Sequence, residues 1–83
     1  MKTYTIVSRK ERTGRETELS GTLQELIQYH SYTLECGKSW EHEEGNHKIN
    51  MNPKSIKTLI KNLNWATNNS AANGYSGITY FSK

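Results

Sequence analysis

The 83-residue chain has no aspartate, one cysteine, one proline and no acidic residue after Glu44. Without aspartate, every carboxylate is one of eight glutamates, and three of these, Glu41, Glu43 and Glu44, crowd a stretch that reads as an exposed loop. A solvated charge run is the ordinary account of such a cluster, and it lacks the opposed spacing that paired-carboxylate catalysis needs. Cys36 has no second cysteine for an internal disulfide, which fits a reducing compartment, while a bridge to another chain stays open. No apolar run approaches the roughly 18 residues that span a bilayer. "MKTYTIVSRK" carries charge where a secretory signal has its apolar centre. The expectation is a cytoplasmic protein with no membrane segment.

What the chain does contain is enough for one small domain, residues 1–83, which buries only around 60% of its unfolded surface. A hydrophobic fraction of 33% and a mean hydropathy of −0.89 are low for a globular chain. Eight aromatic residues and periodic apolar segments nevertheless argue for a packed fold over disorder. The net charge of +3 is unevenly spread: residues 1–44 hold all eight acids against six basic residues, and residues 45–83 hold five lysines and no acid. Such asymmetry points to an anionic partner, or it solvates the outer side of a surface helix.

"KTYTIVSR" alternates Tyr4, Ile6 and Ser8 with Thr5 and Val7 and reads as a strand. A turn at Thr13-Gly14 and the alternation in "ETELSG" extend this to an antiparallel hairpin over residues 2–20. Arg9, Lys10, Arg12 and Arg15 at its tip interleave with Glu11, Glu16 and Glu18, which favours cross-strand pairing over a phosphate-binding finger. Thr22 and Glu25 then have capping-box spacing, and Gly37 stands where a left-handed C-terminal residue would close one helix. On that helix Leu23, Leu26, Ile27, His30 and Leu34 share a face, flanked by Tyr29, Tyr32 and Cys36. His30 reads as a boundary histidine with one satisfied nitrogen, the alternatives being a base or a pH switch.

"KSWEHEEGNHKINMN" superficially offers metal ligands. His42 and His47 are five apart, roughly 140° out of phase on a helix, so the zinc-protease pattern fails on geometry. A loop site from Cys36, His42 and His47 is the lesser alternative to a short hairpin turning at Gly45-Asn46, or a surface loop, with Trp40 and Ile49 as core anchors. No metal and no cofactor is expected.

The last helix is expected to start at "NPKS", with Asn52 as N-cap and Pro53 at the first helical position, and to stop near Asn73-Gly74. Ile56, Leu59, Ile60 and Leu63 form its apolar stripe, continued weakly by Ala66, Thr67 and Ser70. "ITYFSK" supplies a final strand. The expected fold is α+β: a small antiparallel sheet, made of the N-terminal hairpin and the C-terminal strand, with two helices on one face in the order ββααβ.

Trp65 lies about 180° from Ile56 at roughly 100° per residue, on the side of Lys54, Lys57 and Lys61. With Asn64 and Asn68, these residues form the candidate partner-binding face. Ammonium groups draw in an anionic partner, amides give directed hydrogen bonds, and an indole stacks on a base or anchors a protein interface. Burial of Trp65 within the monomer is the structural alternative.

"LSGTLQELIQYHSYTLECGKSW" and "KINMNPKSIKTLIKNLNWA", residues 19–40 and 48–66, resemble short accessory proteins of tailed bacteriophages, and the likeness continues less clearly into "NGYSG". That resemblance implies binding without chemistry, to a host enzyme, a defence protein or a defence signal nucleotide. It carries no active-site residues across. The basic C-terminal half departs from the acidic DNA mimics frequent among such proteins.

A non-enzymatic protein that binds and modulates a host macromolecule is therefore the first expectation, with a host protein as partner. A nucleic-acid binder or nucleotide sponge using the same basic and aromatic face is the alternative, and a homodimer fits a chain of this size. An enzyme is the least supported class: one cysteine and three histidines without recognisable spacing give no clear nucleophile or base.

Overall fold

The computed structural model describes residues 2–44, 49–69 and 77–83, excluding the side chains of 40–44 and 69. Strand β1 (Tyr4–Lys10) pairs antiparallel with β2 (Glu16–Gly21), from Tyr4 opposite Gly21 to Arg9 opposite Glu16. Their turn is closed by the Lys10 amide on the Arg15 carbonyl at 2.9 Å and by the Gly14 amide on the Lys10 carbonyl at 2.7 Å. Gly14 sits at φ 73°, a left-handed conformation that glycine adopts without a Cβ penalty. Strand β3 (Ile78–Ser82) lies antiparallel on the other side of β1, so the sheet order is β2-β1-β3. The expected hairpin and its C-terminal third strand are both present.

The two faces of the sheet are covered differently. On one, Ile6 and Tyr80 join Leu26, Ile27, Leu34, Ile49, Leu59 and Leu63 in the core, with Tyr4, Leu23, Ile56, Ile60, Trp65 and Ile78 packed around it. On the other, Val7 stands opposite Glu18 and Phe81 and is only 2% exposed, although it is outside that core cluster. Paired side chains surround it. The Arg9 guanidinium lies 4.9 Å from the Phe81 ring centroid and 3.0 Å from Glu16, Lys83 meets Glu18 at 2.7 Å, and Thr5 and Ser20 share a hydroxyl hydrogen bond of 2.7 Å. Long charged side chains shield apolar surface with their stems while their heads stay in water. The expected cross-strand pairing is thus found at Arg9–Glu16.

The helix expected over residues 22–37 is two helices. Helix α1 (Leu23–Tyr29) opens with the predicted capping box: Thr22 Oγ1 accepts from the Glu25 amide at 3.2 Å, and Glu25 accepts from the Thr22 amide at 2.8 Å. His30 then leaves helical geometry at φ −107°, ψ 16°. Its Nδ1 donates to the Leu26 carbonyl at 2.8 Å, the same carbonyl that accepts the His30 amide at 3.1 Å. A side chain bonded to the carbonyl four residues back competes with the helical ladder and bends it. Helix α2 (Ser31–Glu44) follows at once.

Gly37 does not close a helix. It lies inside α2 without a positive φ, where a Cβ would stand 2.6 Å from Ala66 Cβ, 3.2 Å from Ala66 Cα and 3.3 Å from Ile49 Cδ1. Its small size permits a close crossing of α2 and α3 (Ile56–Asn69). Residues 41–44 are consequently helical, correcting the loop or hairpin arm expected there. The glutamates there favour helix and contribute to that outcome. Ile49 is the buried anchor that was expected; the Trp40 side chain, Gly45-Asn46, Ser70 and Asn73-Gly74 lie outside the described residues.

Helix α3 also starts later than expected. Ser55 is its cap, its Oγ accepting from the Thr58 amide at 3.2 Å and its carbonyl from the Leu59 amide at 3.1 Å. Asn52 instead belongs to a bend in which its amide donates to Asn50 Oδ1 at 2.9 Å, and Pro53 is buried beside it. Serine is as good an N-cap as asparagine, so the sequence held two competing start signals. Leu59, Leu63, Ala66 and Thr67 of α3 are fully buried, while Asn62 anchors the preceding segment by donating to the Asn50 carbonyl at 2.9 Å.

Candidate binding face on the third helix

The α3 stripe that buries Leu59, Leu63 and Ala66 turns Lys57, Lys61 and Asn68 into solvent, and Lys54 is exposed just before the Ser55 cap. At roughly 100° per residue Lys57, Lys61 and Asn68 fall within about 40° of one another. Arg9–Glu16 and Lys83–Glu18, both on the sheet, are ion pairs among the described residues. The three lysines of the candidate face have no carboxylate within ion-pair distance among those residues. Ammonium groups on one rigid helix act together on an approaching anion within a Debye length of about 8–10 Å.

Asn64 and Trp65 have other surroundings. The Asn64 amide is engaged inside the fold: Nδ2 donates to the Tyr80 carbonyl at 3.0 Å and Oδ1 accepts from the Tyr80 amide at 2.7 Å. Thr67, also on α3, donates its hydroxyl to the Ile78 carbonyl at 3.1 Å. Together they cover the outer backbone of β3. Trp65 is half-buried and packs against the hydrophobic core, so its remaining exposed surface, not the whole indole, adjoins the lysines. Thus the structure places Lys54, Lys57, Lys61 and Asn68 on an open surface and assigns the Asn64 amide to structural work. The clue to that work was already present: Asn62 and Asn64 stand on the two flanks of the α3 apolar stripe, and Thr67 is a polar residue within it.

His30 is buried between α1 and the sheet, with its ring edge-on to Tyr80 at 5.7 Å between centroids and an interplanar angle of 85°. A carbonyl accepts only, so the short contact to Leu26 fixes the proton on Nδ1. Desolvation lowers the His30 pKa from its usual value, outweighing the Leu26 hydrogen bond that raises it. Burial likewise raises the Tyr80 hydroxyl, against the effect of a hydrogen bond from Thr33. The folded protein thus resists protonating His30 more than the unfolded chain does. Above the unfolded value near 6.5 both states are neutral and this contribution is level; below it the unfolded state takes up the proton first and stability falls until the depressed folded pKa is passed. Thermal melts should show wild type losing stability below about pH 6.5 more steeply than a folded His30→Gln variant. Parallel slopes would refute the assignment.

Among the described residues, no group of three or more His, Cys, Asp or Glu side chains is placed to hold a metal ion. Cys36 is half-buried, and the His42 side chain and His47 lie outside that description. Tyr29 and Tyr32, expected to flank the apolar face, are exposed. No helix among the described residues is long and apolar enough to cross a membrane. No protein-family model matches the chain, and no match of significance connects it with a curated protein or a solved structure.

Proposed function

We propose that this chain is a non-enzymatic accessory protein of the tailed-phage kind that binds a host protein in the cytoplasm and modulates it, with Lys54, Lys57 and Lys61 meeting an acidic face of that partner. The observation that carries this reading is the exposure of the three lysines without a carboxylate within ion-pair distance among the described residues, whereas Arg9 and Lys83 each have one. Asn68 and the exposed part of Trp65 contribute a hydrogen-bonding group and apolar area beside them. Directed recognition by the Asn64 amide is not part of this proposal, because that amide already holds β3.

Pull-down from bacterial lysate, with and without nuclease, tests the proposal. Wild type should retain a stoichiometric protein that survives nuclease, and a Lys57→Glu/Lys61→Glu variant should lose at least ten-fold of it. The variant's melting temperature should stay within a few degrees of wild type, because surface substitutions away from packing usually change stability by less than about 0.5 kcal/mol. Retention of nuclease-sensitive material alone, with affinity falling steeply in salt, would replace this reading with nucleic-acid binding.

A further inference from the structure

The two edges of the sheet are treated unequally. On β3, side chains of α3 occupy the outward backbone groups of Tyr80 and the carbonyl of Ile78. On β2 the position of the outward groups follows from the ladder. The Lys10 amide bonds to the Arg15 carbonyl, and antiparallel pairs alternate between bonded and non-bonded, so Glu16, Glu18 and Ser20 aim their N–H and C=O groups away from β1. No hydrogen bond to those outward groups is found among the described residues, and residues 16–20 are exposed throughout.

An open edge is a template for another strand, and natural proteins usually shield one with charged side chains, proline or a bulge. This edge has no proline, and its two glutamates are drawn across the outer face by Arg9 and Lys83. Leu19 lies in its middle at 39% exposure, on the side facing the helices. We infer that β2 pairs antiparallel with β2 of a second copy of this chain, with Leu19 on the two-fold axis.

Charge selects that register. A two-fold axis at Glu16 or Glu18 would set each glutamate against itself, and an axis at Thr17 would set Glu16 against Glu18, arrangements in which like charges directly opposite are destabilising. An axis at Ser20 avoids this but leaves only the Ser20 pair bonded within β2. With the axis at Leu19, Glu18 faces Ser20 of the second copy, both pairs exchange backbone hydrogen bonds, and the two leucines meet at a close non-bonded pair. This contact is separate from the α3 face and leaves it open to a partner.

Sedimentation equilibrium over a concentration series tests the pairing. The wild-type mass should rise from 9.5 kDa toward twice that value. Ser20→Pro deletes an outward amide while sparing the β1–β2 ladder, and Leu19→Lys sets two ammonium groups on the axis; each should weaken association at least ten-fold. Ser20→Ala, which loses only the hydroxyl contact with Thr5, should associate like wild type. Should the proline variant fail to fold, Leu19→Lys still decides, since it alters an exposed side chain. A wild type that stays at 9.5 kDa at its highest soluble concentration, or a dimer that Leu19→Lys leaves intact, overturns the inference.

Discussion

Replacing Gly37 with alanine should destabilise the protein, although the same change in an exposed helix interior gains up to about 1 kcal/mol from propensity. The new methyl would stand 2.6 Å from Ala66 Cβ and 3.2 Å from Ala66 Cα, so at least one helix must shift. Overpacking of this kind costs about 1–3 kcal/mol, which exceeds the propensity gain over most of that range. The net loss, up to about 2 kcal/mol, would lower the melting temperature of so small a domain by up to about 15 °C. Ala66→Gly alone should also destabilise, by about 1 kcal/mol, through propensity. The double variant returns one methyl to the crossing and should therefore lie closer to wild type than the two losses added together, a coupling of about 1–3 kcal/mol. Thermal and urea unfolding of the four proteins gives this cycle, and a more stable Gly37→Ala single variant would refute the close crossing.

That crossing shows what a sequence conveys about such a fold and what it withholds. The strands were legible because Tyr4, Ile6 and Val7 and later Ile78 and Tyr80 combine alternation with β-forming side chains, and Gly14 marks the turn. The capping box at Thr22 and Glu25 was legible because both of its bonds are local. Gly37 was misread because a glycine that ends a helix and one that lets two helices touch look alike until the second helix is placed. His30 interrupts the helix through its side chain, a choice that rests on burial against Tyr80, far away in sequence.

The same distinction runs through the candidate face. Exposure of Lys57, Lys61 and Asn68 follows from helical phase, which the apolar stripe establishes from sequence alone. The role of Asn64 does not, since it depends on a strand 16 residues later. An edge strand must have its outward amides bonded or guarded, and here a carboxamide on α3 takes the place of a neighbouring strand. The residue that looked available for a partner closes the backbone of Tyr80 on the β3 edge.

Asn64→Leu should accordingly be among the most damaging single substitutions outside the apolar core. It strips the Tyr80 amide and carbonyl of their 2.7 Å and 3.0 Å partners at a part-buried position. An unmet buried donor or acceptor costs about 1–3 kcal/mol, so the pair amounts to about 2–4 kcal/mol after water reaches part of the site. The variant should also aggregate more readily, because the freed edge of β3 becomes a template for other strands. Asn64→Asp separates hydrogen bonding from shape. At neutral pH its carboxylate still accepts from the Tyr80 amide but opposes the Tyr80 carbonyl, an arrangement that favours the protonated acid, which donates as the amide does. Its folded pKa should then lie above the unfolded value of about 3.9, so the restored bond is present below that value and lost as pH rises through the folded pKa. The stability deficit of Asn64→Asp relative to wild type should therefore shrink on acidification from pH 8 to pH 4, whereas that of Asn64→Leu should stay level. Equal deficits for the two variants at every pH would mean that the carboxamide fills space beside β3 without sealing its edge.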